Sequence, residues 1–273
     1  MANIGIVGYG FVGEAVKFGF DNSKHKIFIY DKFKPSLSLN DVITNSEFVF
    51  VCLPTPYKDN KIDLSIIEDF LKDIYQLIKN TNKILIIKST VIPGTVKKLT
   101  NLFPGCNFCS NPEFLTERNY LQDFINPDRI IIGADDEKIR QRVSDLYKKE
   151  FPLIPIFLTD STSSEMAKYM SNSFLAMKVV FANEIFDLCK KLNINYQDVK
   201  NMVIADKRIG NSHLDISPER GFGGKCFPKD LVALIGLFEE MNIDASLLKT
   251  VWEKNLQIRK IKDWEKIPFV KTE

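Results

Sequence analysis

Histidine is nearly missing from this chain: His25 and His213 are the two in 273 residues. Zinc and iron sites lean on imidazole, and the five cysteines do not fill the gap. Their number is odd and their spacing irregular. The one C-x-x-C, Cys106 to Cys109, lies in strand-like sequence, where positions three apart face opposite sides. No metal site is expected, and the thiols read as reduced ones of a cytoplasmic protein. No apolar run reaches the roughly 18 residues of a membrane helix, and strand-like sequence from Asn3 leaves no room for a leader, so no membrane partner is expected. An excess of charge is missing too: 37 basic against 35 acidic residues leave a formal +2, which argues against a nucleic-acid partner. There is no internal repeat and no low-complexity tract. What remains is the ordinary globular mixture, 45% hydrophobic and 26% charged, in a length that suits two domains.

The first half alternates short apolar runs with longer amphipathic ones. NIGIVG (3–8), KIFIY (26–30), EFVFVCL (47–53), KILIIKS (83–89) and CNFCS (106–110) read as strands, with helical segments between them such as 62–80. This alternation predicts βαβ units and a Rossmann-like, doubly wound parallel sheet, which RIIIG (129–133) and IPIFLT (154–159) should extend. Beyond Asp160 the pattern turns helical. From Ser163 to about Leu192 neither proline nor glycine interrupts, and Met166, Met170, Phe174, Met177, Phe181, Ile185 and Leu188 recur at helical spacing. One long helix is expected there, with domains at 1–160 and 161–273, the second all-helical.

GYGFVG (8–13) follows the first strand and opens a helix, the context that a dinucleotide fingerprint requires. Gly8 allows the tight turn, Gly10 lets backbone approach a pyrophosphate, and Gly13 lets helix and strand pack closely. Tyr9, Phe11 and Val12 present the intervening amides at the helix N-terminus. Asp31, ending the second strand, is placed to accept from a ribose diol, which favours NAD over NADP; Lys32 and Lys34 weaken that preference slightly. Thr55, in the loop LPTPY (53–57), stands at the carboxyl edge of the sheet, where such folds bind ligands.

The stretch GFGGKCFPKD (221–230) sets a cysteine between two lysines, behind three glycines and before a proline. Pro228 suits the first turn of a helix, which puts Cys226 at its start. There the helix dipole, with Lys225 or Lys229, favours the thiolate. The glycines Gly221, Gly223 and Gly224 clear bulk from the approach. Two readings stand: a small buried apolar filler, and the nucleophile that the neighbourhood favours. A cofactor domain with a nucleophilic cysteine suggests aldehyde oxidation through a thioester. Asp230 falls near the third helical position, where an acid also serves as a cap.

GFGGKCFPKD, with KSTVIPGT (88–95), SNPEFLTE (110–117), PDRIIIG (127–133) and EMAKYMSNSFLA (165–176), resembles the UDP-glucose/GDP-mannose dehydrogenase family. The blocks stand in the family's order and run from Asn3 to about Glu265; CFPKD is similar to the UDP-glucose branch. The resemblance implies oxidation of a sugar nucleotide's primary alcohol to a carboxylate with two NAD and one water. It implies that Cys226 carries a thiohemiacetal and then a thioester, that Lys168 stabilises oxyanions and helps move the first proton, and that Asn172 accompanies it one turn on. Asp230 with Thr90 would position the water, and Glu113 would assist thioester hydrolysis. Glu117, Thr55 and Lys229 would touch the cofactor. Phe114, Leu115, Phe222 and Gly223 would line the substrate side, and Arg208 would reach the sugar nucleotide across a homodimer.

Family members are longer and carry a third, nucleotide-holding domain, so the chain is expected to be a short form without it, or a piece cut after the central helical domain. Two alternatives remain. One is an NAD-binding subunit or regulatory homologue that is catalytically incomplete. The other is a 3-hydroxyacid dehydrogenase-like enzyme, against which the cysteine of KCFPKD speaks.

Overall fold

The computed structural model describes residues 1–21, 24–58 and 61–267. Two compact units are present: Met1–Thr55 with Asp63–Lys168, and Pro56–Ile62 with the residues from Tyr169 on.

The first unit is built on a seven-stranded sheet. The expected runs supply its strands: β1 (Asn3–Val7), β2 (Lys26–Tyr30), β3 (Phe48–Val51), β6 (Ile84–Ile87), β7 (Asn107–Ser110), β8 (Ile130–Gly133) and β9 (Ile156–Thr159). Their order is β2-β1-β3-β6-β7-β8-β9. Alternate residues feed two cores. Ile4, Ile6, Phe48, Phe50, Ile84 and Ile86 point to one, and Val7, Val49, Val51, Leu85 and Ile87 to the other. A sheet covered on both faces needs apolar residues at every position, which is why the strands read as unbroken runs. Helix α1 (Phe11–Phe20) joins the first core through Ala15, Val16 and Phe20, and α3 (Ser65–Ile78) the second through Ile67, Phe70, Leu71, Ile74 and Ile78.

The sheet differs from the expectation at one join. β2, β1, β3, β6 and β7 are parallel, as are β8 and β9, but β8 meets β7 antiparallel through Ser110 and Gly133. Helix α5 (Tyr120–Ile125) is the one helix between these two strands and has six residues. Parallel crossovers usually run through a helix packed on the sheet, and this connection has only that short one. The sheet is therefore mixed. α6 (Glu137–Glu150), capped by Asp136 on Lys138 N, then returns the chain to β9.

The long helix is present as α7, Ser161–Lys191. The units change over within it, between Lys168 and Tyr169. The second unit contains α8 (Tyr196–Ile204), α9 (Phe227–Glu240), α10 (Ser246–Ile258) and two short antiparallel strands, β4 (Tyr57–Lys58) and β5 (Lys61–Ile62). Ala176, Val180, Phe222, Leu231, Ile235 and Val251 form its core. Of the expected stripe on α7, Met177 packs against that core, but most of the stripe turns away from it. Met166, Met170, Phe174, Phe181 and Leu188 are exposed, while Tyr169, Ala176, Val180 and Ala182 are buried. The helix has two apolar sides, and small side chains such as Ala176 and Ala182 take interior positions because they allow close approach.

Candidate functional site

In the first unit, the turn after β1 is shaped by its glycines. Gly8 has φ +91°, and a Cβ there would meet the Cys52 carbonyl oxygen at 2.6 Å. At Gly13 a Cβ would lie 2.1 Å from the Gly8 oxygen, so α1 can press on the turn only with glycine there. At Gly10 it would meet nothing within 4 Å, and Gly10 caps α1 without a side-chain hydrogen bond. The space beside Gly10, at the start of α1, is thus open, the cradle that a pyrophosphate fits.

Asp31 borders this turn. Its Oδ2 accepts from Tyr9 N at 2.7 Å, and its Oδ1 accepts from Phe33 N at 2.8 Å and Lys34 N at 3.0 Å. Burial works against the charge, but these donors and the Lys34 ammonium outweigh it and hold the carboxyl below its ordinary range. Lys34 also donates to the Tyr9 carbonyl at 2.6 Å and pairs with Glu14, so its charge is engaged within the turn. This second layer, Lys34 with Glu14, was not legible in the sequence. Thr55, buried, donates to the Thr90 carbonyl at 2.8 Å and joins two loops of the same sheet edge. The glycine turn, the ionised Asp31 and the open space beside Gly10 together fit a dinucleotide.

Glu113 and Lys168 form a buried ion pair at 3.1 Å, their side chains 5% and 4% exposed. The second carboxylate oxygen of Glu113 accepts from Leu115 N at 2.6 Å. The Phe114 ring lies beneath two cations, with Arg129 at 4.2 Å and Lys168 at 5.3 Å from its centroid. Glu117 is exposed on the same loop. Glu165, one turn before Lys168, caps α4 (Thr95–Leu102) by accepting from Gly94 N and Val96 N at 2.6 and 2.8 Å. Burial pushes its carboxyl up to about 7.

In the second unit, Asp230 is the hub. Its Oδ2 accepts from Asn172 at 2.5 Å, its Oδ1 from Lys229 at 2.7 Å, and its own amide donates to the Cys226 carbonyl at 2.9 Å. Asn172, Lys229 and Asp230 are all buried. Cys226 is the N-cap residue of α9, with Pro228 in the first turn, and is half-buried. The expected reason for the loop's glycines needs correction. A Cβ at Gly221 would strike Asn255 Oδ1 at 2.4 Å, and one at Gly223 would strike Asp263 Oδ1 at 2.3 Å. At these two positions the missing bulk makes room for the loop's own scaffold. Asn255, fully buried on α10, accepts from Phe222 N at 2.7 Å and donates to Phe222 O at 3.0 Å. Asp263 accepts from Gly224 N and from Arg259. Sequence reasoning missed these three because they lie more than 30 positions on and carry no motif.

Arg208 is exposed and bound to Asp206 of its own loop at 2.6 Å. Cys106 and Cys109 belong to opposite cores of the sheet. Among the described residues no disulfide joins the cysteines. Among the described residues no three His, Cys, Asp or Glu side chains gather as metal ligands, and no helix is long and apolar enough to cross a membrane.

Comparison with known proteins joins these clusters to one lineage. A UDP-glucose 6-dehydrogenase of Rickettsia conorii is 38% identical over 234 residues, which cover 83% of this chain and 53% of that protein. One from Campylobacter jejuni is 37% identical over 88% of this chain and 61% of its own. A UDP-glucose dehydrogenase structure from Pyrobaculum islandicum superposes with TM-score 0.85 at 30% identity, covering 94% of this chain and 68% of that one. The chain spans about half the length of the Rickettsia relatives it matches. Residues 31–151 match the NAD binding domain of the UDP-glucose/GDP-mannose dehydrogenase family, and residues 162–257 match its central domain. With both domains in order, and NAD as the cofactor that its first unit is shaped to hold, the chain belongs to the UDP-glucose/GDP-mannose dehydrogenase family.

Proposed function

We propose that the chain oxidises the primary alcohol of a nucleotide sugar to a carboxylate, with UDP-glucose the favoured substrate, as a cytoplasmic homodimer. The observation that carries this reading is Cys226 at the start of α9, on a loop pinned by Asn255 and Asp263 and followed by the Asn172–Asp230–Lys229 cluster. NAD, held by Gly8, Tyr9, Gly10, Phe11, Val12, Gly13, Asp31 and Thr55, with Glu117 and Lys229 as further contacts, supplies the hydride acceptor for both oxidations.

The remaining chemistry falls to the side chains. Lys168 receives the hydroxyl proton or neutralises the oxyanion that its loss creates. The Cys226 thiolate adds to the aldehyde carbon, forming the C–S bond of a thiohemiacetal whose oxidation leaves a thioester. Water, positioned by Asp230 and Thr90 and assisted by Glu113, adds to the thioester carbonyl. The C–S bond breaks, the thiol is restored and the carboxylate leaves. Phe114, Leu115, Phe222 and Gly223 line the sugar, and Arg208 serves the partner's substrate.

The homodimer is supported by the outward apolar side of α7, including Phe174 and Phe181 at 54% and 59% exposure. Large contiguous apolar patches on a soluble chain mark interfaces.

NADH formation with UDP-glucose, GDP-mannose and UDP-N-acetylglucosamine tests the activity, and Cys226→Ser tests the mechanism. The variant should bind NAD and lose net turnover, and rapid-mix mass spectrometry should show a sugar adduct on the wild-type chain. A silent wild type with all three sugars would favour the incomplete-subunit alternative. A serine variant at wild-type rate would overturn the thioester.

A further inference from the structure

Lys88 directly follows β6, two positions before Thr90, and is 4% exposed. An ammonium so placed is costly unless it is paired, and sequence alone gives it no role. Its Nζ donates to Asn111 Oδ1 at 3.1 Å and lies 5.6 Å from the Phe124 ring centroid. Asn111 is held on three sides: the Tyr147 hydroxyl donates to the same Oδ1, and its Nδ2 donates to the Ile131 carbonyl at 2.7 Å. Asn111 stands two residues before Glu113. One buried side chain, just past the end of β7, therefore joins the residue that follows β6 to β8 and α6.

The charges around Lys88 are few. Cys52 from the end of β3 and Cys109 on β7 face it, and burial pushes both thiols up to about 12, so both are neutral. Burial holds the Tyr147 phenol well above its ordinary range, so it too is neutral. Glu113 and Lys168 are the charged groups whose fields reach it, and Arg129 stands beyond them against Phe114. Burial, above all, brings the Lys88 ammonium down to about 8, where its own charge can change.

We propose that Lys88 is a positioning residue for the Glu113–Lys168 pair: its buried ammonium fixes Asn111 two residues ahead of Glu113 and adds a second positive charge whose field reaches both members. The inference deepens the proposed function, because a cation near Lys168 eases loss of the Lys168 proton, and that reading needs Lys168 to exchange one. A purely structural lysine would not ease that loss.

The test is NMR of the full chain carrying 13C-lysine, with the Cε signals assigned by Lys88→Met and Lys168→Met and followed against pH. In the wild type, Lys88 and Lys168 should titrate as a coupled pair, each curve bending at the midpoint of the other. In Lys88→Met, the Lys168 midpoint should rise by about one pH unit, roughly tenfold in proton affinity. The acid limb of the turnover profile should move the same way, and Lys88→Arg, which keeps charge and donor, should restore it. Independent single-site curves in the wild type would overturn the proposal, and so would an unmoved Lys168 in a folded Lys88→Met chain. The titration needs no substrate. Coupled curves without turnover on any nucleotide sugar would therefore overturn the proposed function and leave this inference standing.

Discussion

Asn172 donates its side-chain amide to Asp230 at 2.5 Å, and the receiving carboxylate is 1% exposed. A buried carboxylate stripped of a donor bears the desolvation cost alone. Asn172→Ala should therefore destabilise the chain by about 1–3 kcal/mol. Urea titration should show a lower midpoint at unchanged slope. Asn172→Asp should do worse at neutral pH, where two carboxylates meet, and recover part of the loss as acid protonates one of them. An Asn172→Asp chain that weakens further in mild acid, relative to Asn172→Ala, would contradict this geometry.

Asp31 has two tasks, since it accepts from Tyr9, Phe33 and Lys34 amides while bordering the dinucleotide turn. The native chain should prefer NAD to NADP. Asp31→Ala should weaken NAD binding and narrow that preference, because the turn loosens while a repulsive charge disappears. Calorimetric titration of both cofactors measures the ratio; a ratio unchanged by Asp31→Ala would refute the role given to it.

Glu165 links pH to stability. Its folded carboxyl titrates at about 7 against an ordinary 4.5, because burial disfavours the charge. The folded chain thus keeps a proton that the unfolded chain releases across that window, so this group's contribution falls as pH climbs from 4.5 to 7. Glu165→Gln cannot ionise. The stability difference between wild type and variant should shift toward the variant by about 1–3 kcal/mol between mild acid and neutrality. Denaturation midpoints at several pH values read this, and parallel curves would exclude it.

Phe181 stands 59% exposed on α7. Phe181→Glu should leave the fold intact and, if that side of α7 is the dimer contact, convert a dimer to a monomer near 31.3 kDa in light scattering at micromolar concentration. A wild type that is already monomeric and fully active would remove the homodimer from the reading, and with it the role of Arg208.

Strands were the most legible part of the chain. Ile84 to Ile87 could be nothing but a strand buried on both faces, and β2 appears at its expected residues. The antiparallel join at Ser110 and Gly133 left no trace, since periodicity records burial and not direction. On α7 the spacing of Phe174 and Phe181 marked a true helix and the side turned outward, because Ala176 and Ala182 offer little hydrophobic signal and yet line the interior. Cys226, Pro228 and Asp230 could be read because helix starts have local chemistry. Asn255, Arg259 and Asp263 could not, because a polar side chain that reaches a backbone across the fold obeys no period.

Asn255 both accepts from and donates to the peptide of Phe222, standing in for a neighbouring strand that the glycine loop does not have. The posture of the cysteine loop is thereby dictated from the far end of α10. A change at Asn255 would look like an active-site lesion in any activity screen, although its bonds are to the Phe222 backbone four residues before the cysteine. Engineering of the thiol's reactivity can accordingly begin at that amide, leaving the sequence from Lys225 to Asp230 untouched.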